Sequence, residues 1–122
     1  IVAVCPPSVY IHDVGAAIRG STIRLGGQNA YFAAEGAYTG EVSCDMLKDL
    51  ACTYVILGHS ERRAIFGETD ALVNQKVKAV LAAGLTPIVC VGETLEQREA
   101  NQTQNVVRTQ CRGSLAGLTG EE

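Results

Sequence analysis

No segment of the 122-residue sequence is long and apolar enough to cross a bilayer. Its longest near-apolar run, Ala79 to Gly92, is too short and is interrupted at Thr86-Pro87. There is no basic tract and no interleaving of basic with aromatic residues, and the net charge is −3. Nucleic acid and membrane are therefore not expected partners. No CxxC occurs, the five cysteines (Cys5, Cys44, Cys52, Cys90, Cys111) are odd in number, and neither His12 nor His59 sits at a zinc-ligand spacing. Reduced, mostly buried thiols in a cytoplasmic protein are expected, with no metal. No glycine-rich turn of the dinucleotide-binding type follows any apolar run, which argues against a doubly wound open sheet. No low-complexity stretch, linker or charge run marks a second domain. Nothing resembles a signal peptide. Ile1 lies inside an apolar run without an initiator Met, and the expectation is a chain excised from something longer.

What is present is an ordinary globular composition, 47% hydrophobic and 19% charged, so disorder is not expected. Four apolar, β-branched runs stand out: Ile1–Cys5, Thr22–Gly26, Tyr54–Leu57 and Pro87–Val91. Each is continuous rather than alternating, as in strands buried on both faces of a parallel sheet. Between them lie helical patterns. Tyr10, Ile11, Val14, Ala17 and Ile18 share one face, and Ser43 can cap a short helix carrying Met46, Leu47 and Leu50. A clearer helix opens at Thr69-Asp70, buries Val73, Val77, Val80 and Leu81, and stops at Gly84. Thr94 with Gln97 forms a capping box for one polar helix that continues to Val106, Val107 and Cys111. The order βαβαβαβα implies right-handed crossovers. The strands start 21, 32 and 33 residues apart, the repeat of an eight-stranded barrel of ~250 residues. The expected fold is α/β, half of a (β/α)8 TIM barrel within one partial domain, residues 1–122. The stretch from Gln28 to Glu41 has no periodicity, yet it carries Tyr31, Phe32 and Tyr38. A long structureless loop is usually functional, and these aromatics call for burial against something else.

Ligands of parallel α/β folds gather at the carboxyl ends of the strands. The polar residues there are Ser8, Gln28, Asn29, the set His59-Ser60-Glu61-Arg62-Arg63, and Glu93. Ser60 and Glu61 suit the first turn of a short helix, which sets the His59 imidazole at its positive end. That field disfavours the imidazolium, and a neutral ring donating one N–H to a polarised oxygen is expected. Glu61 can relay a proton or simply pair with Arg62 or Arg63, and pairing is the plainer reading.

Three segments carry a resemblance. Tyr54-Val55-Ile56-Leu57-Gly58-His59-Ser60-Glu61-Arg62-Arg63 resembles the active-site strand and loop of the triosephosphate isomerase family. Gly27-Gln28-Asn29-Ala30-Tyr31 with Gly36-Ala37-Tyr38-Thr39-Gly40-Glu41-Val42-Ser43 is similar to that family's dimer loop. Pro87-Ile88-Val89-Cys90-Val91-Gly92-Glu93-Thr94-Leu95-Glu96 is similar to its fifth strand and following turn. The match runs through the whole chain in order. It implies that His59 is the neutral electrophile that polarises the substrate carbonyl and that Glu61 is a carboxylate supporting the catalytic lysine. Ser60 then holds the catalytic glutamate in the open site, and Cys90 packs beneath the site. Thr39, between Tyr38 and Gly40, would be the loop tip that reaches the neighbouring subunit. His12 and the other cysteines match nothing catalytic and are read as structural.

The resemblance also implies what these residues do not include. The family's catalytic lysine follows its first strand and its glutamate base the sixth. Its phosphate-gripping loops follow the sixth to eighth strands. The chain matches the second to fifth units alone. Lys48, Lys76 and Lys78 lie in helical patterns away from strand ends and cannot replace that lysine. Cys44-Asp45 stands where a proline is common in the family. The expected parent is a cofactor-free, cytoplasmic, homodimeric isomerase of glycolysis and gluconeogenesis. It would interconvert dihydroxyacetone phosphate and glyceraldehyde 3-phosphate through an enediolate. Taken alone, the segment is expected to be inactive. The rival readings are a purely structural piece, or another phosphosugar enzyme on the same barrel. The second is disfavoured because the histidine motif and the dimer loop occur together.

Overall fold

A computed structural model describes residues 1–120. Its strands are β1 (Ala3–Val4), β2 (Arg24–Gly27), β3 (Tyr54–Leu57) and β4 (Thr86–Val89), joined by helices α1 (Ile11–Ala17), α2 (Cys44–Asp49), α3 (Ser60–Ile65) and α4 (Asp70–Ala82), with α5 (Leu95–Glu99) and α6 (Thr103–Ser114) following β4. A 3-10 turn, Ser8–Tyr10, precedes α1. The strands form one four-stranded sheet in the order β1-β2-β3-β4, every pairing parallel. This is the expected part-barrel architecture. No helix among the described residues is long and apolar enough to cross a membrane.

The strands are shorter than the apolar runs, and the expectation of burial on both faces is not met. Along β3, Val55 and Leu57 have no solvent exposure, whereas Tyr54 and Ile56 on the other face are half-buried. Successive side chains of a strand point to opposite faces. Val55 and Leu57 therefore face the core, where Val73, Val77 and Val80 of α4 are also fully buried. β4 repeats the asymmetry, with Ile88 39% exposed. In a barrel the inner face is filled by side chains from strands across the axis, and these four strands cover only one side of that layer. β2 needs glycine where it passes its neighbours: a Cβ on Gly26 would lie 2.7 Å from Cys5 Sγ and 2.8 Å from the Tyr54 carbonyl.

Helix boundaries follow local chemistry. Thr69 caps α4 by accepting from the Leu72 amide at 3.2 Å. At its other end Gly84, at φ +76°, donates to the Leu81 carbonyl while Leu85 donates to Val80. This paired closure is the Schellman motif. The stripe expected on α4 is realised at Val73, Val77 and Val80, while Leu81 is only half-buried. On α1 the expected face is narrower than the spacing implies: Ile11 is buried, but Tyr10 is 58% exposed.

The single helix expected from Thr94 is two. The capping box forms, with Thr94 Oγ1 accepting from the Gln97 amide and Gln97 Oε1 accepting from the Thr94 amide. The chain then breaks at Asn101, φ +56°, a conformation that asparagine adopts more readily than most residues. Two of the five thiols, Cys44 and Cys52, are buried and three are half-buried, so burial of the thiols is less general than expected.

α2 closes with the same motif as α4, but its left-handed residue is Ala51, φ +62°, with its amide on Lys48 O and the next amide on Leu47 O. An L-residue there costs ~1–2 kcal/mol. Glycine would remove that cost while making the unfolded chain more flexible by ~0.4–1 kcal/mol. Ala51→Gly in the full-length protein is expected to raise stability by up to ~1 kcal/mol. A lowered denaturant midpoint would contradict this reading of the turn.

Candidate functional site

The carboxyl ends of β2 and β3 open on a cleft of about 530 Å³ whose walls include Ser8, Gln28, Asn29, His59, Glu61 and Arg62. His59 is the N-cap of α3, and its Nδ1 accepts from the Glu61 amide at 3.3 Å. An N–H pointed at Nδ1 is met by a lone pair there, so in this arrangement Nε2 is the nitrogen left to carry a proton. Glu61 Oε2 also lies 3.7 Å from Nδ1. The amide is nearer and lies within hydrogen-bond range. His59 thus has one donor, Nε2–H, to offer, and its side chain is 46% exposed.

Glu61 does not pair with its neighbouring arginines, the plainer reading from the sequence. Arg62 Nε bonds Glu68 Oε1 at 2.7 Å, and Arg63 Nη1 bonds Asp70 Oδ1 at 2.6 Å. Glu61 is left 74% exposed on the cleft wall. Ser60 opens α3 and is exposed. Cys90, just past β4, is half-buried. Burial pushes its thiol up, opposed by the nearby Arg63 charge. Burial, helped by Cys5, pushes the Cys52 thiol up to about 11. Thiols shifted this way are poor nucleophiles at neutral pH.

Gly40 lines the same cleft, whereas Tyr38 and Thr39 stand beside it at the exposed tip of the 28–41 loop. The loop is held by its own contacts. The Tyr31 ring lies 4.4 Å from Phe32 and 4.6 Å from Tyr38, and the Tyr31 amide donates to Val42 O. Tyr38 nonetheless remains 46% exposed. At the end of β4, the own backbone amide of Glu93 and the Arg98 guanidinium, 2.8 Å away, hold its carboxyl below the ordinary carboxylate range.

Sequence reasoning missed a buried ionic cluster behind the cleft. Lys76, in mid-α4 and 3% exposed, bonds Glu68 Oε1 and donates to Asn29 Oδ1 at 3.0 Å. The lysine reaches the end of β2 from a helix, a contact that linear spacing does not reveal. The one available signal was a lysine in register with Val73, Val77 and Val80 on the buried face of α4.

The fold and site define the class: a parallel βα-barrel segment with a histidine just beyond the carboxyl end of β3. The family model for triosephosphate isomerase matches residues 1–122, and the chain belongs to that family. The triosephosphate isomerase of Rhodopirellula baltica is 60% identical over 117 residues, covering 96% of this chain and 46% of the relative. That of Carboxydothermus hydrogenoformans is 59% identical over 121 residues, covering 99% and 48%. The crystal structure of triosephosphate isomerase from Bartonella henselae superposes with a TM-score of 0.90 at 44% identity, covering 98% of this chain and 51% of that one. The chain therefore spans about half the length of the curated relatives it matches.

Burial pushes the Glu68 carboxyl up, but hydrogen bonds from Lys76 and Arg62, with their charges, outweigh it and hold the group below the ordinary carboxylate range. A lowered folded value means that this stabilisation is complete above the unfolded pKa of ~4.3 and is lost as pH falls through the folded one. In the full-length protein Glu68→Gln is expected to cost ~3–5 kcal/mol near neutrality, because Lys76 is left as a buried, unpaired charge. The gap between wild type and variant should narrow below about pH 4. Denaturant titrations showing a constant gap from neutral to acidic pH would contradict this.

Proposed function

We propose that the full-length protein carrying this segment interconverts dihydroxyacetone phosphate and glyceraldehyde 3-phosphate by proton transfer through an enediolate. The observation that carries the reading is the contact at His59, whose Nδ1 accepts from the Glu61 amide and so leaves Nε2–H as the ring's donor to the cleft. Removing a proton from the carbon beside a carbonyl builds negative charge on the carbonyl oxygen. A fixed neutral donor stabilises that oxygen without itself being a strong acid in the ground state. His59 then serves the oxygen of each carbonyl in turn as the enediolate collapses in either direction. Glu61 supports the catalytic lysine and Ser60 the glutamate base, both of which lie outside these 122 residues. Cys90 packs beneath the site. The reaction moves protons alone and needs no cofactor. The same reading makes residues 1–122 the second to fifth units of a barrel domain in a cytoplasmic enzyme of glycolysis and gluconeogenesis.

The enzyme acts as a homodimer. The support is the self-packed 28–41 loop, which presents Tyr38, Thr39 and Gly40 to solvent. Beside the same cleft Phe66 is 66% exposed, apolar surface of the kind an interface covers.

In the full-length enzyme His59→Gln is expected to lower kcat by ~10²- to 10³-fold with a much smaller change in KM, because the lost contact strengthens in the transition state. Steady-state kinetics giving a near-normal kcat would sink the assignment. Replacing Tyr38 with Glu and Thr39 with Asp together is expected to yield monomers of much reduced activity. Sedimentation showing an intact, active dimer would refute the interface.

A further inference from the structure

Arg63 is 14% exposed at its side chain, and its three guanidinium nitrogens make four contacts. Nε donates to the Gly58 carbonyl at 2.7 Å and Nη1 to Asp70 Oδ1 at 2.6 Å. Nη2 donates to the Cys90 carbonyl at 3.3 Å and to Ser114 Oγ at 3.1 Å. Gly58 and Cys90 are the residues immediately beyond β3 and β4, while Asp70 opens α4 and Ser114 ends α6. The backbone amide of Arg63 also donates to the His59 carbonyl at 3.0 Å. One residue therefore holds the carbonyls on both sides of the His59 α-carbon. The peptide plane before the histidine is fixed by the Arg63 side chain, and the plane after it by the Arg63 amide.

Gly58 fits this grip. At φ +67° a Cβ would stand 2.9 Å from Arg63 Nη2 and 3.0 and 3.1 Å from the two Val73 methyls. The guanidinium lies where any larger residue would have to be. α3 is only six residues long, and a helix so short has little stability of its own. The backbone around His59 is thus held by the Arg63 side chain together with the first hydrogen bond of the helix.

We propose that Arg63 is a positioning residue for catalysis: by clamping the Gly58 and His59 carbonyls it aims Nε2–H of His59 at the substrate oxygen. The inference rests on the electrophilic role of His59 given above. Geometry is what it supplies, and a displacement of about 1 Å at a reacting group can cost ~10²-fold in rate.

Arg63→Lys tests it in the full-length enzyme. Lysine keeps the charge beside Asp70 but is a compact donor without the planar fork, so it cannot span Gly58 O and Asp70 together. Expected is a fall in kcat of about 10- to 100-fold with KM within a few-fold of wild type. The deciding measurement is the same substitution in a His59→Gln background. If Arg63 acts through His59, the second change lowers kcat by less than about 2-fold there, since residues that act as a unit are non-additive. Equal losses in both backgrounds, or an unchanged kcat in the single variant, would overturn the proposal. A normal kcat in His59→Gln alone would instead remove the reading on which it rests. Should Arg63→Lys fail to fold, Asp70→Asn loosens the same anchor isosterically. Its smaller kcat loss must also vanish in the His59→Gln background, and persistence there would overturn the proposal.

Discussion

A parallel sheet cannot be joined by hairpins, so each strand must return over a crossover and enter from the same side as its neighbour. Every strand of this chain therefore ends on one side, and the residues that follow β1 to β4 are collected there. The two ends of the sheet are held differently. At the amino end the backbone continues the ladder, with Arg24 donating to Val2 O, Thr53 to Leu25 O and Thr86 to Thr53 O. At the carboxyl end side chains supply many of the donors: Gln28 to Cys5 O, Arg63 to Gly58 O and Cys90 O, and Gln110 to Gly92 O. Where the ladder stops, the spacing between strand ends is set by these side chains. An opening can then form without the ends fraying.

How much of this was readable in the sequence depended on range. Continuous apolar runs located all four strands, because apolar, β-branched stretches are the local signature of a parallel core. Capping pairs located helix starts at Ser43, Thr69 and Thr94, because a cap is chemistry within three residues. Gly84 marked a helix end for the same reason. One helix end carried no local signal, and one local pattern misled. Ala51 occupies a left-handed closing position usually filled by glycine, and Asn101 breaks what periodicity alone reads as one helix. The two-sided burial inferred for the strands failed because the face opposite the helices depends on strands across a barrel axis, which no local pattern reports.

The site was legible in part for the same physical reason. A histidine directly after a strand and before a helix start stands at the strand end by connectivity alone, and His59 is there. The partners of the charged residues were not legible. Arg62 and Arg63 sit beside Glu61 in sequence, yet their carboxylates are Glu68, in the turn between α3 and α4, and Asp70, which opens α4. Lys76 reads as lying away from the strand ends until the helix is docked and its side chain reaches Asn29. Neighbouring helix residues face different sides of the axis, so adjacency in the chain is a poor guide to ion pairing.

That divergence gives α3 its character. Arg62 turns towards Glu68, where Lys76 adds the end of β2 through Asn29. Arg63 turns towards Asp70, where Ser114 adds α6 and Cys90 adds β4. Two consecutive arginines thus tie one short helix to the strands on both sides of β3. Buried ion pairs seldom stabilise a fold more than apolar residues of the same shape, so net stability is a weak account of why charge is used here. Direction is a better one. An apolar pair can fill the space behind α3, but it cannot hold the Gly58 carbonyl at a fixed angle or take an oxygen from Asn29. Glu61, between His59 and the two arginines in sequence, pairs with neither arginine and stands 3.7 Å from His59 Nδ1 on the cleft wall. The same few residues therefore separate into largely buried charges tied into the fold and a more exposed pair, His59 and Glu61, on the cleft wall.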